Sequence, residues 1–278
     1  MDTLVVEKFS PGGQKTQTSQ IDNYPGFEDG IDGFSLGYKM QQSALRFGAE
    51  NLQAEVLSVS LEGKTKSVLT SEGEISARSI IIATGAEHRH LGLPGEDELI
   101  GKGVGYCAAC DGMFFKRKTV AVIGGGNSAA ADALLLSKIC KKVYVIHRRD
   151  SLRAEKVYHE PLLKADNVEF VWNSVATEFI ADDTVKGIRI QNLTDGSERE
   201  LSLDGIFISI GRSPQTELFN GKLELDKNGY IVADESTKTS IDGVFAVGDV
   251  RTKPVRQIVT AVADGATAVH FAGEYINS

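Results

Sequence analysis

Thr119-Val120-Ala121-Val122-Ile123-Gly124-Gly125-Gly126-Asn127-Ser128-Ala129 is the stretch that sets the fold of this chain. Val120 to Ile123, apolar and mostly β-branched, predict a buried parallel strand over Thr119–Ile123. Glycines then open a turn, and from Asn127 to Ser137 the alanines and leucines fall at helical spacing. Strand, glycine turn and helix in that order are the context a GxGxxA pattern requires. Gly124 permits the tight turn, Gly126 lets backbone approach a pyrophosphate, and Ala129 allows close packing of helix on strand. A diphosphate would rest on the helix N-terminus, where unpaired N–H groups and the dipole favour an anion. Taken alone, such a turn also occurs without a ligand.

The next strand discriminates between nucleotides. Val143–Ile146 reads as its core, and it ends in His147-Arg148-Arg149, with Arg153 one turn further on. A site for NADH places Asp or Glu here, to accept from the ribose 2′-hydroxyl. Guanidinium groups pair instead with a 2′-phosphate, so NADPH is expected, held by Gly124, Gly126, Asn127, Ser128, Ala129, His147, Arg148, Arg149 and Arg153. The bland alternative is a solvated basic face.

Upstream of this unit lies Cys107-Ala108-Ala109-Cys110-Asp111. Two cysteines separated by two residues close a small disulfide ring, and a helix start lowers a thiol pKa toward the thiolate that exchanges. Structural zinc is the main competing reading, but no second cysteine pair exists and His88, His90, His147, His159 and His270 lack finger-like spacing, so no metal is expected. Two inert thiols are a further alternative. Asp111 either shuttles a proton during reduction or caps a helix. Cys140, at the end of the helical stretch, reads as a packed, unreactive thiol.

Similar strands recur at Thr3–Val6, Ser79–Ile82, Ile206–Ile210 and Val244–Val247, and a second clear helix spans Val259–Tyr275. The alternation predicts α/β architecture. Leu4-Val5-Val6-Glu7 parallels the strand ending at His147, and Ile80-Ile81-Ile82-Ala83-Thr84-Gly85 parallels Phe207-Ile208-Ser209-Ile210-Gly211. This faint duplication predicts two Rossmann-like domains, one inserted in the other: 1–91 and 217–278 forming one, 92–216 the other. At 278 residues, the chain is long enough for two cores, and a net charge of −8 argues against nucleic acid as a partner. No run of 18 apolar residues occurs, and three cysteines are too few for a disulfide-stapled secreted fold, so no membrane contact and a cytoplasmic location are expected.

Cys107-Ala-Ala-Cys110-Asp111-Gly112, Gly124-Gly-Gly-Asn127-Ser-Ala129 and His147-Arg148-Arg149-Asp150-Ser-Leu-Arg153-Ala154 together resemble the signature set of bacterial thioredoxin reductases. Pro11-Gly12-Gly13-Gln14, Asn23-Tyr24-Pro25-Gly26, Ala83-Thr84-Gly85-Ala86, Gly248-Asp249-Val250 and Arg256-Gln257-Ile258 resemble the same family's flavin-domain motifs. The resemblance covers essentially the whole chain. It implies the two-domain fold of pyridine nucleotide-disulfide oxidoreductases, FAD as second cofactor, thioredoxin as partner and a homodimer. It further implies that Gly12, Gly13, Gln14, Asn23, Thr84, Gly85, Gly248, Asp249, Arg256 and Gln257 belong to the flavin site, with Glu7 on the FAD adenosine ribose. Ordinary turns at the glycines and a helix cap at Asp249 are the structural alternatives. Catalysis would then run from NADPH to FAD, to the Cys107–Cys110 disulfide and on to thioredoxin. Cys110 would face the flavin and Cys107 would attack the partner disulfide.

One departure stands out. The family's flavin fingerprint, a strand and GxGxxG turn about 20 to 30 residues ahead of Glu7, has no counterpart after Met1-Asp2-Thr3-Leu4. The expectation is either a gene product that begins earlier or a defective flavin domain. Two alternatives to thioredoxin reduction follow: the reductase component of a peroxidase system, and a flavin-free NADPH-binding remnant without turnover.

Overall fold

The computed structural model describes residues 1–9, 11–17 and 20–278. In chain order the first strands are β1 (Leu4–Glu7), β2 (Glu50–Gln53), β3 (Val56–Ser60), β4 (Lys66–Thr70), β5 (Gly73–Ala77) and β6 (Ile80–Ile82), with helix α1 (Gly33–Arg46) between β1 and β2. There follow β7 (Ala86–His88), β8 (Val104–Gly105), α2 (Ala108–Asp111), β9 (Thr119–Ile123), α3 (Asn127–Ser137), β10 (Lys142–Ile146), α4 (Lys156–Leu163) and β11 (Val168–Val171). The remainder is β12 (Ser174–Ala181), β13 (Val185–Asn192), β14 (Glu198–Ser202), β15 (Gly205–Ile208), β16 (Arg212–Pro214), β17 (Val244–Ala246) and α5 (Ile258–Asn277). The chain forms two compact units, Met1–Glu87 with Ser213–Ser278, and His88–Arg212.

The continuous unit, His88–Arg212, holds a five-stranded parallel sheet in the order β11-β10-β9-β15-β8 and an antiparallel meander β12-β13-β14. β9 lies at the centre because Val120, Ala121 and Val122 present nothing polar on either face; all three are fully buried. Burying the two valines stabilises this strand by roughly 1.5 to 3 kcal/mol each. Ala129, Ala130, Ala133 and Leu136 form the buried face of α3 and pack with Val120, Val122, Val143 and Val145 in one core. Small alanines let the helix lie close to the sheet. Ile139 and Cys140 lie in the turn after α3, and the Asn167 amide donates to the carbonyls of Ser137 and Cys140 at 2.9 and 3.0 Å.

The discontinuous unit repeats the pattern in part. It has a parallel pair β1-β2, a parallel pair β6-β17 and a meander β3-β4-β5. Val59, Leu61, Ile82, Val244 and Ala246 pack with Phe219 and Ile231. The first strand departs from expectation. It runs Leu4–Glu7 and is parallel to β2, but Leu4 and Val5 are 41% and 45% exposed, because β1 pairs only with β2 in the described residues. Apolar residues in a strand paired on one side alone keep a free edge. Likewise β15 stops at Ile208, short of Ile210, which is exposed.

Candidate functional site

In the continuous unit, the turn after β9 is fixed by what presses on it. Gly124 has φ +147°, and a Cβ there would come within 2.3 Å of the Ser209 carbonyl oxygen and 2.9 Å of Ala129 Cβ. Only glycine fits. At Gly125, a Cβ would fall 2.4 Å from the His147 ring, whereas a Cβ at Gly126 meets nothing within 4 Å. The Gly125 carbonyl accepts the N–H groups of Arg153 at 2.7 Å and Ala154 at 3.1 Å. Asn127 exchanges two hydrogen bonds with Glu155, donating to its carboxylate at 3.0 Å and accepting its N–H at 2.8 Å. The His147–Arg153 segment is thus tied to the glycine turn.

His147 is buried, and its Nε2 has no hydrogen-bond partner. An orphaned polar atom in such a place calls for a partner from outside the chain, a water or a ligand. Burial first, then Arg153, Arg149 and Arg148, push its pKa below the ordinary histidine value. The imidazole is neutral at pH 7, while the three guanidinium groups beside it are exposed and charged. Ser128 is exposed at the helix start and Ala129 is buried beneath it. A glycine turn with open space at Gly126, an unsatisfied imidazole and three guanidinium groups fit a phosphorylated dinucleotide.

Cys107 and Cys110 are joined in a disulfide, with Cα atoms 5.3 Å apart. Cys107 is the residue before α2 in extended conformation, and its carbonyl accepts the N–H groups of Cys110 and Asp111. Asp111 makes no capping bond to the 3-10 turn that follows, Gly112–Phe115, so the cap reading does not hold. Burial pushes its carboxyl up to about 6, a value suited to proton transfer near neutrality. If the disulfide is turned over, Asp111→Asn is therefore expected to cost about 10²-fold in the rate of its reduction. The decline in that rate as pH rises through about 6, where Asp111 gives up its proton, should be absent from the variant's pH profile. A retained decline would count against a proton role. Cys140 is buried, and burial followed by Asp204 pushes its thiol up to about 11, so it stays protonated.

In the discontinuous unit the anticipated flavin residues form two groups. Gln14 donates to the Ala86 carbonyl at 2.9 Å, next to Gly85 and Thr84, and the Thr84 hydroxyl donates to the Gln215 carbonyl at 2.7 Å. Gly12 and Gly13 both have positive φ in the turn that leads into Gln14. In the second group the Asn23 amide donates to Gln257 at 3.0 Å, and Arg256 Nε reaches the Asp249 carbonyl at 3.4 Å. Gln257 also makes a capping box with Thr260 at the start of α5, so Asp249, in the turn Gly248–Val250, is not that helix's cap. Glu7 ends β1 and accepts the Phe9 N–H at 3.4 Å. Gly85 has φ +75° with nothing within 4 Å of an added Cβ, so backbone there is open to a ligand. These polar groups fit a large cofactor rich in hydrogen-bonding atoms.

Two features escaped the sequence. Asp264, on α5, accepts from the Gly248 N–H at 2.8 Å, from Arg251 at 2.8 and 2.7 Å, and from Lys253 at 2.7 Å. All three side chains are buried, and together they hold the Gly248–Asp249 turn. Burial alone would push Asp264 up; the donors from Arg251, Lys253 and Gly248 outweigh it and hold the carboxyl down at about 2. Secondly, Met113 and Phe114 are 59% and 50% exposed just after the disulfide, whereas Phe115 packs edge-on against Phe207. The apolar run after Asp111-Gly112 was the available signal. Among the described residues no three His, Cys, Asp or Glu side chains gather to hold a metal, and no helix is long and apolar enough to cross a membrane.

The model of the pyridine nucleotide-disulphide oxidoreductase family matches residues 2–265. A thioredoxin reductase of Listeria monocytogenes is 45% identical over 278 residues, covering 99% of this chain and 86% of the relative. One from Treponema pallidum is 42% identical over 276 residues, with 99% and 90% covered. Among solved structures, the thioredoxin reductase of Streptococcus pyogenes superposes with a TM-score of 0.90 at 41% identity, covering 99% of this chain and 90% of that one. That of Giardia duodenalis gives 0.91 at 33% identity, covering 100% and 91%.

Proposed function

We propose the function from one premise: the chain belongs to the pyridine nucleotide-disulphide oxidoreductase family and, within it, to the thioredoxin reductases. It is a thioredoxin-disulfide reductase that uses NADPH and FAD. The observation that carries this reading is the disulfide Cys107–Cys110 seated in the same unit as the glycine turn and the arginines, beside a carboxyl raised to about 6. NADPH supplies a hydride, and bound FAD supplies the two-electron carrier between it and the disulfide.

The chain's own residues do the rest. Gly124, Gly126, Asn127, Ser128 and Ala129 form the diphosphate turn, and Arg148, Arg149 and Arg153 take the 2′-phosphate beside His147. Glu7, Gly12, Gly13, Gln14, Asn23, Thr84, Gly85, Gly248, Asp249, Arg256 and Gln257 hold the flavin. Two electrons and a proton convert the disulfide to one thiol and one thiolate, and Asp111 handles the proton. The Cys107 thiolate then attacks the partner disulfide to give a mixed disulfide. Cys110 displaces it, releasing reduced thioredoxin and re-forming Cys107–Cys110. The exposed Met113 and Phe114 offer apolar surface to that partner. Residues 1–91 with 217–278 serve the flavin and residues 92–216 serve NADPH. A homodimer in the cytoplasm is the working form, in keeping with the cysteine usage.

The test is NADPH oxidation by the flavin-loaded protein with oxidised thioredoxin added. Thioredoxin-dependent turnover is expected, and its absence would sink the reading. In the same assay, Arg148→Ala with Arg149→Ala should raise the KM for NADPH by about 10- to 100-fold and that for NADH by less than about 3-fold, because only NADPH carries the clamped phosphate. Equal losses for the two would count against the assignment.

A further inference from the structure

Neither the nucleotide turn nor the disulfide chemistry described above makes use of Tyr106, the residue before Cys107. Its hydroxyl donates to Glu96 Oε1 at 2.6 Å and lies 3.2 Å from His90 Nδ1. Its ring stacks on that of His88, with centroids 4.7 Å apart and planes inclined by 24°, and meets the His90 ring at a tilt. Burial first, then the Glu96 carboxylate and Asp97, push the phenol above its ordinary pKa, so the hydroxyl stays a donor. Burial, with Arg212 and His90 acting in the same direction, holds His88 down at about 4, so the ring beneath the tyrosine is neutral at pH 7.

What Tyr106 holds is itself fixed. Glu96 is 3% exposed, and its two oxygens accept the N–H groups of Leu91 at 3.0 Å and Gly92 at 2.9 Å, closing the turn 91–96. Leu91, Leu93 and Tyr106 pack against one core with Val104 and Ile206. On the other side the tyrosine runs straight into the redox pair. Cys107 is extended, with φ −143° and ψ 97°, and its carbonyl accepts the N–H groups of Cys110 at 3.1 Å and Asp111 at 3.0 Å. Just ahead of Tyr106, Gly105 lies so near Asp111 that an added Cβ would meet its Oδ2 at 3.2 Å. Cys107 is thus gripped twice, through its own carbonyl by α2 and through the preceding side chain by a buried carboxylate.

We propose that Tyr106 is a positioning residue for the redox disulfide, its hydroxyl bond to Glu96 holding the Cys107 backbone where the sulfur meets that of Cys110. The proposal rests on the exchange roles of Cys107 and Cys110 given above. In the dithiol nothing covalent keeps the two sulfurs together, and the ring closes in proportion to the time they spend within reach. Fixing the backbone of Cys107 removes freedom from the dithiol and so raises the effective concentration of one sulfur at the other. A pair whose disulfide is favoured in this way is the stronger reductant, which suits a protein whose task is to pass electrons on. The tyrosine touches no reacting atom; it acts through the peptide it shares with Cys107.

The test equilibrates the full-length protein with buffers of reduced and oxidised dithiothreitol, quenches with iodoacetamide and counts alkylated Cys107 and Cys110 by peptide mass, Cys140 lying on a separate peptide. In this exchange dithiothreitol gives up two electrons and two protons and closes its own S–S ring, while the Cys107–Cys110 bond breaks and takes up both. The readout needs neither flavin nor thioredoxin. Tyr106→Phe keeps the ring on His88 and deletes only the hydroxyl, so the equilibrium constant for forming the disulfide should fall by about 10-fold, a rise of about 30 mV in potential. Glu96→Gln leaves one acceptor oxygen for donors that now share two, so it should shift the constant in the same direction. The double variant should go little further than either single one. A constant for Tyr106→Phe within about 2-fold of the parent, with circular dichroism preserved, overturns the proposal and leaves the tyrosine a packing role only; if Glu96→Gln does not fold, the phenylalanine variant decides. Failure of the functional reading would show separately, as unmodified protein that never reduces thioredoxin whatever its dithiothreitol equilibrium.

Discussion

Serine in place of Cys107 or Cys110 is expected to abolish thioredoxin reduction, a loss of at least about 10³-fold, while NADPH still bleaches the bound flavin. Exchange needs one sulfur to attack and another to resolve, and a serine hydroxyl does neither at neutral pH. The Cα separation of 5.3 Å lets the pair close in an intramolecular ring, and a lone cysteine has no such partner. Cys140 gives no substitute, since it is buried with its thiol pushed up to about 11. The two variants should also differ from each other. With Cys110→Ser, Cys107 should hold thioredoxin as a mixed disulfide, visible by mass under non-reducing conditions; with Cys107→Ser it should not. Retained turnover in either variant, or the opposite trapping pattern, would sink the assigned roles.

The second large effect lies in the other unit. Asp264→Ala should destabilise the discontinuous unit by about 3 to 5 kcal/mol, a sizeable part of a domain's stability, because it leaves Arg251 and Lys253 as uncompensated buried cations. It also frees the Gly248 N–H, so FAD affinity should fall along with the urea midpoint. The same carboxyl gives a pH dependence with a definite sign. Its folded pKa of about 2 lies below the ordinary 3.8, so its contribution is complete above pH 4 or so and is lost as pH falls through about 2. In acid titrations of the alanine variant, that component of the unfolding curve should be missing. A variant as stable as the parent at neutral pH would refute the account of this cluster.

The parts of the fold legible in the sequence were local ones. β9 and α3 occupy the stretches that the residues from Thr119 to Ser137 mark out, because turn glycines, β-branched strand residues and small helical residues act over short distances. The exposure of Leu4 and Val5 was not legible, since an apolar strand of four residues carries no mark of how many neighbours it will have. Nor were the ionic contacts. Asp132 meets Ser209 across 77 positions of sequence, and Asp264 gathers Arg251 and Lys253 from the far side of a turn, so neither pattern has a local period. The orphaned Nε2 of His147 is likewise a property of what surrounds it.

The unbroken course of the unit His88–Arg212 bears on how the molecule folds. Its first and last residues are close, since the Arg89 N–H donates to the Gly211 carbonyl at 3.0 Å. Before this unit forms, bringing residues 1–87 to residues 213–278 means closing a loop of about 125 residues, an entropic cost of about 4 kcal/mol on top of the constant for any closure. Once it has folded, the two flanking segments leave it from neighbouring points, and most of that cost has already been met. The connectivity thereby favours one order of events, in which the insert folds first and the split half closes across the short span it leaves.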